Sequence, residues 1–485
     1  MKPFYQKFLK DTVLISLVNL SLMINGLILL PILTKILGSA SYGIWIQTLA
    51  VLSLIGGVSG SGSLAFVRFF AGENDETKLS KGFFSVLIYL FILNFFITIG
   101  LITFSSHLSE FFAGSTSIIF LIAIILPFYV INNFIFMFFR TVRKIKVYSV
   151  TYLFQNYFQI LLIVIFIFQG LGISGVLLGM FISYIITEFI ILMIIMRYVG
   201  IKKPHLKDFA KIKKYLHFDI PYIPYNISGW VTNLSDRFII SSILGITAAG
   251  IYSASYSVGS LISSFIYPIN MILVPALSEL YDKNQINEVK SLLEIMLRYY
   301  LLIAIPAAVG ISVLAKPLME ILTTEEIAMA STSIVPLVAF SMVFLGCQAI
   351  INQPNNLVKK TKIVAIAYMV AATLNLTFNL FLVPYLGIFA AALTTLLSAI
   401  VVTFLTLNTS FKHIKFDLNF KFIIKSLFSS FLMGIIILYF NPTNPISIFI
   451  WILIGTSIYF ITLLLINGIN RVELREFRNY LNSLL

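Results

Sequence analysis

Asp236 and Arg237 stand side by side inside an apolar run from residue 216 to 244. A charge at that depth in a hydrocarbon layer costs roughly 2.5–3.5 kcal/mol unless it meets a partner or water. Adjacent helical residues point about 100° apart, so each is expected to find its partner on another helix or in a wet cavity, where the two could hold a headgroup or form a gate. Arg68 closes the second apolar run, at its basic end, and is placed to dock an anionic group. Glu188 and Asp219 could pair with a cation or carry a proton. The run GGVSGSGS, with Gly56, Gly57, Gly60 and Gly62, and Pro268 at the equivalent place in a later run, are candidates for a hinge or the lining of a passage. Reaction chemistry is not written here. There is no G-x4-G-K-[ST] loop and no H-E-x-x-H, the four histidines are scattered, and the single Cys347 supports neither a disulfide nor a thiolate metal site. No catalytic residue, metal or cofactor is expected.

The elements that must position these residues are long apolar helices. The chain is 59% hydrophobic and 11% charged, with a mean hydropathy of +1.00, too apolar for one soluble core. Runs long enough to cross a bilayer lie near residues 12–36, 42–67, 82–104, 116–139, 147–168, 172–196, 216–244, 248–276, 291–314, 328–352, 363–383, 386–407, 422–440 and 446–467. If these alternate across the membrane, all of the 33 Lys and Arg residues except Lys35, Lys316 and Arg237 fall on one side. One miscounted helix would scatter the rest, so the pattern predicts about fourteen spans with both termini cytoplasmic. The same pattern explains the charge of +14 as topology and lipid contact, with no nucleic-acid partner.

The chain also repeats itself. Ile36-Leu37-Gly38 to Gly43-Ile44-Trp45 matches Ile243-Leu244-Gly245 to Gly250-Ile251-Tyr252. Further on, Lys144-Ile145-Lys146 answers Lys360-Thr361-Lys362, and Leu171-Gly172-Ile173 answers Leu386-Gly387-Ile388. Three echoes in order predict an all-α protein of two six-helix lobes related by a pseudo-two-fold axis along the membrane normal. The lobes are expected at 1–199 and 215–410, joined by a basic linker at 200–214, with two extra helices and a basic tail at 411–485.

The segments LTKILGSASYGIW, LAFVRFF, RTVRKIKVYSV, SDRFIISSILGITAAGIYSASYSVG, VPALSEL and VPYLGIFAAALTT, in this order, resemble the polysaccharide transporter family. This is the Wzx-type branch of the multidrug/oligosaccharidyl-lipid/polysaccharide flippase superfamily. The resemblance implies a monomeric transporter of a bacterial inner membrane that moves sugar units on an undecaprenyl pyrophosphate carrier to the outer leaflet by alternating access. Membrane lipids and a polysaccharide polymerase with chain-length machinery are its implied partners. By that resemblance Arg68 is expected to meet the headgroup and the Asp236-Arg237 pair to contact it or gate the passage; the few basic residues at mid-depth point to a weakly anionic sugar unit or to a lining of polar residues such as Asn25, Asn94, Asn233 and Tyr256. The competing readings are a multidrug or cation antiporter, which Glu188 would serve, and a lipid II flippase. A glycan polymerase or ligase would need a sizeable outer loop. The longest one here, Ala315 to Ser331, carries Lys316, Glu320, Glu325 and Glu326 and little else.

Overall fold

The computed structural model describes residues 2–468 apart from 74, 113, 203 and 205, with side chains from residue 14 onward apart from 16, 17, 19, 206, 207, 225, 272 and 361. Arg471, Arg475 and Arg478, assigned above to the cytoplasmic tail, lie outside the described residues, as do Lys203 and the side chains of Lys2, Lys7 and Lys10. Among the described residues every regular element is a helix. They form two compact units, Met1–Ser253 and Ala254–Leu485.

The first unit contains α1 (Lys2–Pro31), α2 (Gly38–Ser59), the short α3 (Ser63–Phe70), α4 (Glu76–Thr103), the one-turn α5 (Ser105–Leu108), α6 (Thr116–Thr141), α7 (Ile145–Phe168), α8 (Gly172–Val199), the linker helix α9 (Leu206–Asp219), α10 (Ile223–Leu244) and the start of α11 (Ile246–Gly259). The second holds the end of α11, then α12 (Ile266–Asp282), α13 (Ile286–Val313), α14 (Ala315–Leu322), α15 (Glu325–Ile351), α16 (Gln353–Leu357), α17 (Thr361–Ser410), α18 (Phe420–Phe440) and α19 (Pro445–Leu465).

Among the described residues, eleven helical runs are long and apolar enough to cross a membrane. Two of them, Leu20–Ser59 and Lys362–Ser410, contain 40 and 49 residues, about twice what one crossing needs. Each is broken inside, at Gly38 (φ 86, ψ 170) and at Gly387 (φ 62, ψ -149), conformations that glycine adopts without the Cβ penalty. A third, Ile246–Asp282, is interrupted by the 3-10 turn Ser260–Phe265. The run expected at 216–244 is not among the eleven. It divides into α9, a 3-10 turn at Ile220–Tyr222 and α10, with Pro221 and Pro224 at the two starts where a missing N–H does no harm.

The sequence echoes take matching backbone conformations. Gly245 (φ 90, ψ 166) ends α10 as Gly38 ends the π-helical turn Ile32–Leu37. Arg143 and Lys359 both sit at positive φ (56 and 58), each before a lysine that opens the next helix: Lys144 at φ -89, ψ 55 and Lys360 at φ -91, ψ 49. Where the motif I-L-G-x4-G recurs, its second glycines meet. A Cβ on Gly43 would strike the Ile246 carbonyl, and one on Gly250 would strike the Ser39 carbonyl. Ser39 and Ile246 hold equivalent places in the repeat, so the contact between α2 and α11 is reciprocal, as a local two-fold requires.

In the first unit, Phe66 of α3, Phe83 of α4 and Phe134 and Phe138 of α6 are fully buried against one another, with Phe83 and Phe134 stacked at 5.2 Å. A bilayer offers no hydrophobic drive between helices, so such packing and interhelical hydrogen bonds carry the association. Asn132 of α6 and Gln155 of α7 make one such link, each amide donating to the other's oxygen at 3.1 Å. Asn132→Leu is expected to lower stability by about 1–3 kcal/mol, because it strands the buried Gln155 amide. Asn132→Leu/Gln155→Leu should recover most of that. Thermal unfolding of both variants in one detergent checks the pair, and equal losses for the two would refute it.

Candidate functional site

The candidate site is a cavity of about 430 Å³ in the first unit. Helices α2, α6, α7 and α10 build most of it, and the break after α2, the start of α3 and Asp219 of α9 add to the lining. Ser53, Gly56 and Gly57 of α2 and its C-cap Gly60 recur every three to four residues, and a small side chain or none leaves the space open. Gly56 is required there, because a Cβ would lie 2.8 Å from the ring of Tyr129. On α6, Tyr129, Asn133, Phe136, Met137 and Arg140 recur every three to four residues and line the opposite wall. On α7, Tyr148 and Tyr152 stack at 5.5 Å, and Phe136 stands edge-on to both at 5.8 and 4.7 Å. Tyr222 of the 3-10 turn and Ile223 and Asn226 at the start of α10 add to the lining. That helix is tied to α2 by Asn226 Nδ2, donating to the Gly57 carbonyl at 3.2 Å, and by Trp230 Nε1, donating to the Ala50 carbonyl at 2.8 Å.

Among the described residues, two charges line the cavity, Arg140 and Asp219. The Asp219 carboxylate is engaged: its Oδ2 accepts from the backbone N–H groups of Gly62 at 2.5 Å and Leu64 at 3.2 Å. Arg140 is exposed. The arrangement offers ring faces for the C–H side of a sugar, amides and hydroxyls for its hydroxyl groups, and one guanidinium whose fork suits a carboxylate or phosphate. On the linker helix, outside the spans, Lys211 donates to Asp208 at 2.9 Å, which raises the lysine pKa.

The residues singled out from sequence are distributed unevenly around this cavity. Gly60 lines it, and Gly62, at φ 105, marks the break between α2 and α3. Arg68 is exposed in the last turn of α3 and is not part of the lining. Pro268 is exposed near the start of α12, in the other unit, just after the 3-10 turn Ser260–Phe265. Glu188 is buried in α8, away from the lining, with Oε1 lacking a hydrogen-bond partner among the described residues. Asn25, Asn94 and Asn233 do not line this cavity either, and Tyr256 belongs to the second unit.

The expectation that Asp236 and Arg237 cannot face each other is corrected. Arg237 Nη1 reaches back to Asp236 Oδ1 at 2.9 Å and also to the Asn233 carbonyl at 2.6 Å, because the long arginine stem spans the angle between the two Cα–Cβ bonds. The expected partner from another helix is present as well, Tyr252 of α11, which donates to Asp236 Oδ2 at 2.5 Å. The trio ties α10 to α11, and both charged residues are buried. Arg140, Tyr129, Tyr148 and Tyr152 went unselected in the sequence. Their signal was available as the α6 spacing Tyr129, Asn133, Phe136, Arg140 and the i, i+4 tyrosines of α7.

Comparison with known proteins agrees with this architecture. Residues 8–281 match the polysaccharide biosynthesis protein family, and residues 221–381 match the MatE family. The chain is 26% identical over 220 residues to a Haloferax volcanii protein named "Probable low-salt glycan biosynthesis flippase Agl15" (45% of this chain, 46% of the relative). It is 25% identical over 264 residues to "Probable flippase AglR" of the same organism (51% and 55%). The chain thus spans about half the length of these curated relatives. Among solved structures, the lipid II flippase MurJ in an inward closed conformation superposes with a TM-score of 0.76 at 20% identity (93% of this chain, 98% of that one). An inward-facing multidrug resistance MATE transporter gives 0.67 at 15% (81% and 94%). With more than half of its length matched by the family, this multi-pass membrane protein has the fold shared by MurJ and the MATE transporters and belongs to the polysaccharide biosynthesis protein family.

Proposed function

We propose that the chain is a flippase that carries oligosaccharide units on an undecaprenyl pyrophosphate carrier from the cytoplasmic to the outer leaflet for surface polysaccharide assembly, by alternating access. In this reading it is a transporter and not an enzyme. It crosses a bacterial inner membrane fourteen times, as lobes 1–199 and 215–410 joined by the 200–214 linker and followed by 411–485, with both termini cytoplasmic. The count of fourteen follows if the runs broken at Gly38 and Gly387 are each two crossings and α10 is a further one. Gly60, Gly62 and Pro268 serve as bending points.

One observation carries the reading: a cavity of tyrosines, amides, hydroxyls and a single arginine, in a chain of the polysaccharide biosynthesis family. The headgroup contact expected of Arg68 and Arg237 passes to Arg140, the cation that lines the cavity, for a phosphate or acidic sugar oxygen. In a strain lacking the gene, one lipid-linked saccharide should accumulate in the inner leaflet, and the wild-type chain should clear it. Arg140→Ala should slow clearance about 10–150-fold, the equivalent of the 1.5–3 kcal/mol carried by a hydrogen bond to a charged group. A deletion strain that accumulates no such lipid would overturn the proposal.

Glu188, buried with one oxygen unpartnered, favours a second reading as a cation or drug antiporter. Ion-gradient-dependent dye export from cells overexpressing the chain, abolished by Glu188→Gln, would select it.

A further inference from the structure

The short helix α3 has no cap of its own. It has eight residues, and its N-cap Gly62 has no side chain to offer the free N–H groups of the first turn. Gly62 stands at φ 105, where a serine or aspartate cap would be strained, so the bend that glycine permits excludes a local cap. The missing acceptor comes from 157 residues away. Asp219, the last residue of the linker helix α9, places Oδ2 on the N–H groups of both Gly62 and Leu64. Its side chain is buried, and Oδ1 has no hydrogen-bond partner among the described residues.

The rest of α9 grips the same short helix. Tyr215 packs on Phe69 and Phe70 at 5.4 and 6.3 Å, Phe218 on Phe69 at 5.9 Å, and Lys214 sits over the Phe69 ring at 4.7 Å. Two turns of helix cannot hold themselves together, so α3 relies on what it packs against: Phe66 on α4 and α6, and Phe69 and Phe70 on α9. Asp219 is also where the chain turns, through the 3-10 segment Ile220–Tyr222, into α10. The break after α2 and the corner before α10 are thus joined at one carboxylate.

We propose that Asp219 is a positioning residue, a cap supplied in trans that latches the break in the second apolar run to the linker helix, so that α3 and α9 swing as one lever when the cavity changes its access. This rests on the transporter reading above. The glycine run makes the break able to bend, and the carboxylate decides what it bends with.

Hydrogen exchange of the full chain in lipid nanodiscs tests the latch without any cargo. In Asp219→Ala the amides of residues 62–66 should exchange at least tenfold faster than in the wild type, with little change in α18 and α19. Asp219→Asn, which keeps a neutral acceptor, should fall between the two and serves if the alanine variant does not fold. In the deletion strain Asp219→Ala should clear the accumulated lipid at least tenfold more slowly at equal protein level. Unchanged exchange overturns the latch, and faster exchange with normal clearance overturns its role as a lever. A wild-type chain that clears nothing would count against the transport reading alone, since the exchange result stands apart from it.

Discussion

Gly250→Leu is expected to push α11 off α2 and abolish transport, with a loss of stability at or above the top of the ~1–3 kcal/mol that overpacking costs. The reason lies in what the new atoms would meet. A Cβ on Gly250 runs into the Ser39 carbonyl and the Gly43 amide, and backbone cannot rotate aside as a side chain would. Gly43→Leu should act alike, because its Cβ meets the Ile246 carbonyl and the Gly250 amide. Even alanine carries the offending atom, so Gly250→Ala should already be destabilising. Gly229→Ala on the adjoining α10 is the control. It has nothing within 4 Å of the new Cβ and should be neutral, or gain the roughly 0.4–1 kcal/mol that a glycine-to-alanine change brings at a compatible helical site. Thermal unfolding in one detergent ranks the four variants. If Gly250→Ala melts with Gly229→Ala, the helices do not cross as closely as the structure places them. Small residues at a crossing are how membrane helices bring backbones together, and here the glycine stands at the same place in both copies of one repeated motif.

The repeat was legible because its markers are glycines and lysines at turns. Turn residues are chosen for local backbone conformation, which sequence reports directly. Gly38 and Gly245, or Arg143 and Lys359, could be paired by neighbours alone, and their dihedral angles agree. The cavity was far less legible. Arg140 read as one more basic residue at a helix end, and only the packing of α2, α6, α7 and α10 turns it toward the tyrosines. Asp219 read as a lone acid at the start of a span. Its partners are the backbone amides of Gly62 and Leu64, and amides leave no mark in a sequence. Span counting stood between these extremes. Hydropathy found the apolar runs, while the polar α10 and the merged hairpins at Gly38 and Gly387 show that composition alone does not say where a helix turns back.

Asp236→Ala should destabilise the chain by about 3–5 kcal/mol, since it leaves the buried Arg237 guanidinium without its carboxylate and deprives the Tyr252 hydroxyl of its acceptor. A loss of that size will abolish activity whatever the pair does, so the single variant cannot separate a tie from a working charge. The combination Asp236→Leu/Arg237→Leu/Tyr252→Phe can. It removes both charges and the hydroxyl together, and apolar replacement of a buried ion pair is often neutral or stabilising. The triple variant is therefore expected to melt close to the wild type. Because the pair lies outside the lining that Arg140 and the tyrosines share, it is also expected to clear the lipid-linked saccharide at a near wild-type rate. Wild-type stability with clearance lost would instead give the pair a direct part in the passage, since a charge kept solely to join α10 to α11 can be replaced by any side chains that pack there.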